Sequence, residues 1–129
     1  MAINFKQVIV VRRDLKMRRG KEISQASHAS MAFLSERIKI ADKNWQMLSL
    51  SHGQREWLYG NSAKITCRVD SEAELLEIYQ KAKALNIEVH LITDSGKTEF
   101  HGIPTKTALA IGPDDVDKID QVTGHLELY

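Results

Sequence analysis

The chain is short of sulfur, proline, aromatic residues and long apolar runs, and each shortage removes a class of protein. One cysteine, Cys67, in 129 residues excludes an internal disulfide framework and suits a reducing compartment. The densest apolar run, "VIVV" at Val8 to Val11, is too short for a signal-peptide core and is stopped at once by Arg12-Arg13. No stretch could span a bilayer, so a cytoplasmic protein with no membrane partner is expected. Aromatic residues make up 6% of the chain and are not interleaved with its basic residues, which argues against a platform for stacking single-stranded bases. Trp45 and Trp57 read instead as helix-packing residues. The five histidines have no ligand spacing with Cys67 or with one another, so no metal is expected. No G-x-S-x-G elbow is present.

What is there is an ordinary globular composition, 43% apolar and 27% charged, with no repeat, low-complexity tract or linker. Residues 1–129 therefore read as one domain. The net charge is only +1, but residues 1–40 hold nine of the 18 basic residues and three of the 17 acids, a local +6 against −5 elsewhere. Such segregation makes a field for an anionic partner on a nearly neutral chain; the plain alternative is a solvated basic loop.

Apolar periodicity predicts a buried strand at "KQVIVVR", a helix over Gly20–Ile38 and a second helical stretch over Asp42–Tyr59, interrupted near Ser51-His52-Gly53. "AKITCRV" alternates as a strand does. "DSEAELLEIYQKAKALN" opens with a capping box, Asp70 or Ser71 before Glu74, and continues as a helix. "EVHLI" and "TKTALAIG" read as strands, and "PDDVDKIDQVTG" as a short helix entered by proline and acids and left by glycine. The order β-α-α-β-α-β-β-α argues for an α/β fold, a sheet at least partly parallel with helices on both faces. Ligands of such sheets sit beyond the carboxyl ends of strands, which singles out residues 12–20 and 93–105.

Two groups of residues there could do chemistry. On the first helix Lys21, Gln25, His28 and Ala32 share one side, while Ile23, Ala26, Ser30 and Leu34 line the other, expected to face the sheet. Upstream, Arg18, Arg19 and Gly20 lie where free N–H groups and the helix dipole favour an anion. The second group is "TDSGKTEF". Its "GKT" is not a phosphate loop, because Leu91 stands where that motif needs its first glycine. Asp94 at a strand end is the best carboxylate for a site, its plain alternative being a turn residue.

"QVIVVRRDLKMRRGKEISQASHAS", "ITDSGKTEF", "ALAIGP" and "KIDQVTGHLELY" together resemble the class II peptidyl-tRNA hydrolases, in the same order and over nearly the whole chain. The resemblance implies a mixed four-stranded sheet in a three-layer α/β domain, a homodimer, and no metal or organic cofactor. It implies hydrolysis of the ester joining a peptide to the 3′ ribose of tRNA, with the acceptor end of peptidyl-tRNA as partner. It assigns catalysis to Lys21, Gln25, Asp94 and Thr98, with His28 and Thr107 at positions lining the same site. Arg12, Arg13, Arg18 and Arg19 would meet tRNA phosphates. The chain departs from the family pattern at Arg18-Arg19 (commonly glycine-lysine), Ser95 (alanine), Glu99 (glutamine) and "HGIPT" (a shorter P-G-T turn).

Elementary chemistry supports that assignment. Ester hydrolysis needs a positioned water, donors for the developing oxyanion and cations for the phosphates. Asp94 suits the first; if it acts as a base near neutral pH its pKa must be raised, and otherwise its work is orientation. A non-catalytic RNA- or partner-binding homologue is the alternative, suggested by the altered "HGIPT" rim.

Overall fold

A computed structural model describes residues 4–41 and 48–129. Its elements follow the expected order: β1 (Phe5–Arg12), α1 (Arg19–Ala41), α2 (His52–Tyr59), β2 (Lys64–Val69), α3 (Glu72–Ala84), β3 (Val89–Asp94), β4 (Thr105–Asp115) and α4 (Val116–Thr123). The part of the expected second helix that carries Trp45 lies outside the described residues. The helix that remains begins with a capping box, Ser51 accepting from the Gln54 N–H and Gln54 accepting from the Ser51 N–H. Ser71, not Asp70, caps α3.

The four strands form one mixed sheet in the order β2-β1-β4-β3. β1 runs parallel to β2 and antiparallel to β4, and β3 is antiparallel to β4. β1 is central, which is why Val8, Ile9, Val10 and Val11 are all buried without alternation. Val8 and Val10 join Leu109, Ile111, Leu75, Ile78, Ile119 and Val122 in a core between the sheet and α3 and α4. Ile9 and Val11 join Met17, Ala29, Ala32, Ile92, Ala108 and Ala110 beneath α1. Each fully buried aliphatic side chain contributes about 1.5–3 kcal/mol. Helices cover both faces of the sheet, as expected.

Two expectations need correction. The face of α1 turned to the sheet carries Gln25, Ala29, Ala32 and Phe33, whereas Ile23 is 61% exposed. The inward face draws on both sides: Gln25 and Ala32 come from the one that looked polar, whose His28 is exposed, and Ala26 and Ser30 come from the other, so the helix is rotated from the expected setting and not reversed. Gln7, fully buried on β1, donates to the Ser30 carbonyl at 2.8 Å and accepts from the Ser30 hydroxyl at 2.6 Å, latching α1 to the sheet. Second, Pro113 does not start a helix. β4 continues to Asp115, with Gly112-Pro113 in a register shift opposite Gln7, where a missing N–H is tolerated. Asp115 is the cap of α4, accepting from the Asp117 N–H.

A knot of polar side chains ties the other end of α1 in place. Glu88, just before β3, accepts from both Arg37 terminal nitrogens, from Gln54 at 2.6 Å, and lies 2.7 Å from His90 Nε2. Despite burial, these donors hold the Glu88 carboxyl at about 2.

Candidate active site

β1 and β3 end at the edge of the sheet where β4 begins, and α1 starts there too, so residues 12–20 and 94–105 converge. Lys21, in the first turn of α1, donates to Asp94 Oδ1 at 2.9 Å and to the Thr98 hydroxyl at 3.1 Å. Gln25, one turn on, places its amide nitrogen 3.4 Å from the same Asp94 oxygen. The other carboxylate oxygen, Oδ2, accepts from the Gly96 N–H at 2.9 Å. The Lys21 and Asp94 side chains are 16% and 13% exposed, so the pair sits just below the surface with one side open to solvent.

Asp94 is therefore an anion held by donors. Its carboxyl lies below the usual aspartate range, chiefly because of the Lys21 hydrogen bond, with the Gly96 N–H adding to it and desolvation opposing. Of the two roles the sequence left open, this one favours orientation: an ionised, already solicited carboxylate is a weak base and a good acceptor for a water.

The backbone that makes this possible is specific. Gly96 has φ +82°, and a Cβ there would come within 2.1 Å of the Ile103 carbonyl oxygen, so the turn that aims its N–H at Asp94 requires glycine. On β4, Ile92 pairs with Ala108 but Thr93 pairs with Lys106, leaving Thr107 as the extra residue of a bulge. The bulge turns Thr107 towards α1, where its hydroxyl donates to Gln25 Oε1. Thr107 is 0% exposed. A substrate-lining position was expected for it; its contact is with Gln25.

The structure thus joins Lys21, Gln25, Asp94, Thr98 and Thr107 in one connected group. His28 is exposed on α1 and makes no hydrogen bond to that group. Arg18 and Arg19 are exposed at the mouth. Arg12 is not available in the same way: its guanidinium forks onto Asp14 at 3.1 and 2.7 Å, donates to the Lys106 carbonyl, and its side chain is 11% exposed. Arg13 pairs with Asp70 at 3.0 Å but remains half exposed. Phe100 was missed by sequence reasoning. Its ring lies 6.0 Å from Lys21 Nζ, and no spacing in "TDSGKTEF" distinguishes it from a packing residue. Among the described residues no group of three or more His, Cys, Asp or Glu could hold a metal ion, and no helix is long and apolar enough to cross a membrane.

A solved structure of Atu0240, a protein of unknown function from Agrobacterium tumefaciens, superposes with a TM-score of 0.53 at 12% identity, covering 99% of each chain, which speaks to the fold alone. The bovine mitochondrial protein named Peptidyl-tRNA hydrolase 2 is 38% identical over 125 residues, 97% of this chain. The chain spans 64% of the length of that relative. The Peptidyl-tRNA hydrolase of Methanothermobacter thermautotrophicus is 43% identical over 126 residues, 96% of this chain and 99% of the relative. A family model described as Peptidyl-tRNA hydrolase PTH2 matches residues 5–129, nearly the whole of the sheet, the helices and the loops just described, and the chain belongs to that family.

Proposed function

We propose that this protein hydrolyses the ester between peptide and tRNA in peptidyl-tRNA, releasing both. The observation that carries the reading is the Lys21–Asp94 contact of 2.9 Å, made across 73 residues of sequence at the mouth of a helix flanked by exposed arginines. The family supports the substrate, and the site supplies each group the reaction needs. Asp94 accepts a hydrogen bond from the attacking water and holds it against the carbonyl carbon; as the new C–O bond forms, the ester bond to the ribose breaks and the proton lost by the water ends on the departing ribose oxygen. The Lys21 ammonium, with the Gln25 amide, donates to the oxygen on which negative charge develops. Thr98, held by Lys21, orients the water or the ribose leaving group. Arg18 and Arg19 take phosphates of the acceptor end, with Arg13 beside them, and His28 borders the same helix face. Residues 1–129 act as one catalytic unit with no metal or organic cofactor.

We also propose a cytoplasmic homodimer. Ile23 and Met31, exposed on the outward side of α1, offer it an apolar surface. Sedimentation at micromolar concentration tests this, and a monomer throughout would refute it.

The deciding experiment is release of tRNA from an N-blocked aminoacyl-tRNA by purified protein in excess chelator. Turnover is expected. Binding without cleavage would instead make the chain a non-catalytic RNA-binding homologue.

A further inference from the structure

The Ser95–Pro104 loop between β3 and β4 is closed on itself. Gly102 N–H donates to the Gly96 carbonyl at 2.9 Å, and Ile103 N–H to the Phe100 carbonyl at 2.9 Å. These bonds hold Lys97, Thr98 and Glu99 in a fixed order beside the site. Thr98 touches Lys21, so its neighbours on either side stand at the rim. Lys97 is exposed and, among the described residues, forms no ion pair. Glu99 Oε1 lies 3.9 Å from Arg18 Nε, a contact that bridges from the loop to the segment leading into α1. Arg18 is 91% exposed and Glu99 21%, so the arginine is free to move and the glutamate is the more anchored partner.

We propose that this loop forms the second wall of the path taken by the tRNA acceptor strand. Lys97 is its phosphate contact, and Glu99 competes with phosphate for Arg18. The proposal rests on peptidyl-tRNA being the substrate. An ester seated at Asp94 is bordered by exposed cations from two segments that the Arg18–Glu99 contact brings together, Arg18 and Arg19 leading into α1 and Lys97 on the loop, so a phosphodiester strand leaving the site meets both. A carboxylate in that path repels the strand and occupies one of its arginines. Since the Arg18–Glu99 pair is long and exposed, it weakens the substrate's hold without closing the site.

The test is binding of uncharged tRNA against salt concentration, with cleavage of N-blocked aminoacyl-tRNA measured in parallel. The proteins are the parent, Lys97→Ala, Glu99→Gln, and Lys81→Ala on the exposed side of α3 as control. Lys97→Ala should weaken binding about two- to five-fold and flatten the plot of log affinity against log salt by about 0.7. Glu99→Gln should tighten binding by a similar factor and lower KM with kcat held, while Lys81→Ala matches the parent. If parent and both loop variants bind alike, or Glu99→Gln weakens binding, the loop is not a wall of the path, whatever the cleavage rate. If the variants shift affinity as expected but the parent does not cleave, the hydrolase reading fails and the wall stands. A parent that does not bind tRNA overturns both.

Discussion

Thr107 donates its hydroxyl hydrogen to Gln25 Oε1 across 82 residues of sequence, and this one bond decides which end of the Gln25 amide faces Asp94. With the carbonyl end taken, the amide nitrogen must point at the carboxylate. A flipped amide would set two acceptors against each other. Thr107 thus fixes the orientation of the Gln25 amide. Thr107→Val keeps the shape and removes the donor, leaving a buried acceptor unpaired at a cost of about 1–3 kcal/mol. kcat should fall while KM changes little, and Thr107→Ser should restore most of it. A Thr107→Val enzyme with parental kcat would show that the orientation of Gln25 does not matter.

Asp94 and Lys21 should fail differently. Asp94→Asn still bonds a water but carries no charge to hold it or to balance the ammonium, so turnover should drop by about two orders of magnitude, the scale of a mispositioned reactant. Affinity for tRNA should hold or rise slightly, as a negative charge near phosphates is gone. Lys21→Ala should lower both turnover and affinity. Single-turnover cleavage and tRNA binding, with a thermal melt as control, separate the two. Parental cleavage by folded Asp94→Asn would reduce that residue to a turn former.

The depressed Asp94 carboxyl fixes a pH dependence. Its kcat/KM, which reports the free protein, should show no loss from this group between pH 5 and 8 and should fall only in acid below the ordinary aspartate range of about 4. An acid limb near pH 6–7 that disappears in Asp94→Asn would mean the group works as a raised-pKa base.

Arginines 12 and 18–19 should separate stability from binding. Arg18→Ala with Arg19→Ala should flatten the salt dependence of tRNA affinity by about two phosphate contacts' worth and leave the melt unchanged. Arg12→Ala removes a guanidinium committed to Asp14 and the Lys106 carbonyl, and should lower the melting temperature with a smaller effect on the slope. Equal slopes for parent and the double variant would take the tRNA surface elsewhere.

Glu88 makes the fold sensitive to acid. Its folded carboxyl titrates at about 2 against an ordinary 4.5, so the ionised form is the one the fold favours. That stability is fully present above about pH 4.5 and drains away as pH falls towards 2. Glu88→Gln should melt lower at pH 7 and lose less than the parent between pH 4.5 and 2. Parallel melting curves for the two proteins over that range would show that Glu88 carries none of the dependence.

The element order, the burial of the first strand and the two loops at the carboxyl ends of β1 and β3 were legible in the sequence for physical reasons; the Lys21–Asp94 contact between those loops was not. Val8 to Val11 form a run without alternation because β1 is covered on both faces, and Asp94 ends a strand that the chain must turn from. The side of α1 that meets the sheet was not legible. Gln25 is buried there against Thr107 and Asp94, and apolar periodicity counts a satisfied amide as outward. The bulge that turns Thr107 inward depends on pairing with β3, which no local pattern records. Pro113 misled for a similar reason, since proline in a register shift looks like the first residue of a helix. Arg12 looked free because its tie to the Lys106 carbonyl crosses 94 residues.

Beneath α1, Ala29 and Ala32 lie in one cluster with Ala108 and Ala110 of β4. Methyl groups on both surfaces let the helix ride low over the sheet, and its height decides whether a side chain from its first turn can reach the end of β3. The 2.9 Å between Lys21 and Asp94 is therefore a distance gauged by four small residues buried in the core. An extra carbon at any of them acts as a shim under the helix. A lift of about 1 Å is enough to cost a reaction of this kind about a hundredfold. Enlarging Ala29, Ala32, Ala108 or Ala110 should therefore disturb the site more than a change in the solvent-facing "HGIPT" rim, although these alanines look interchangeable.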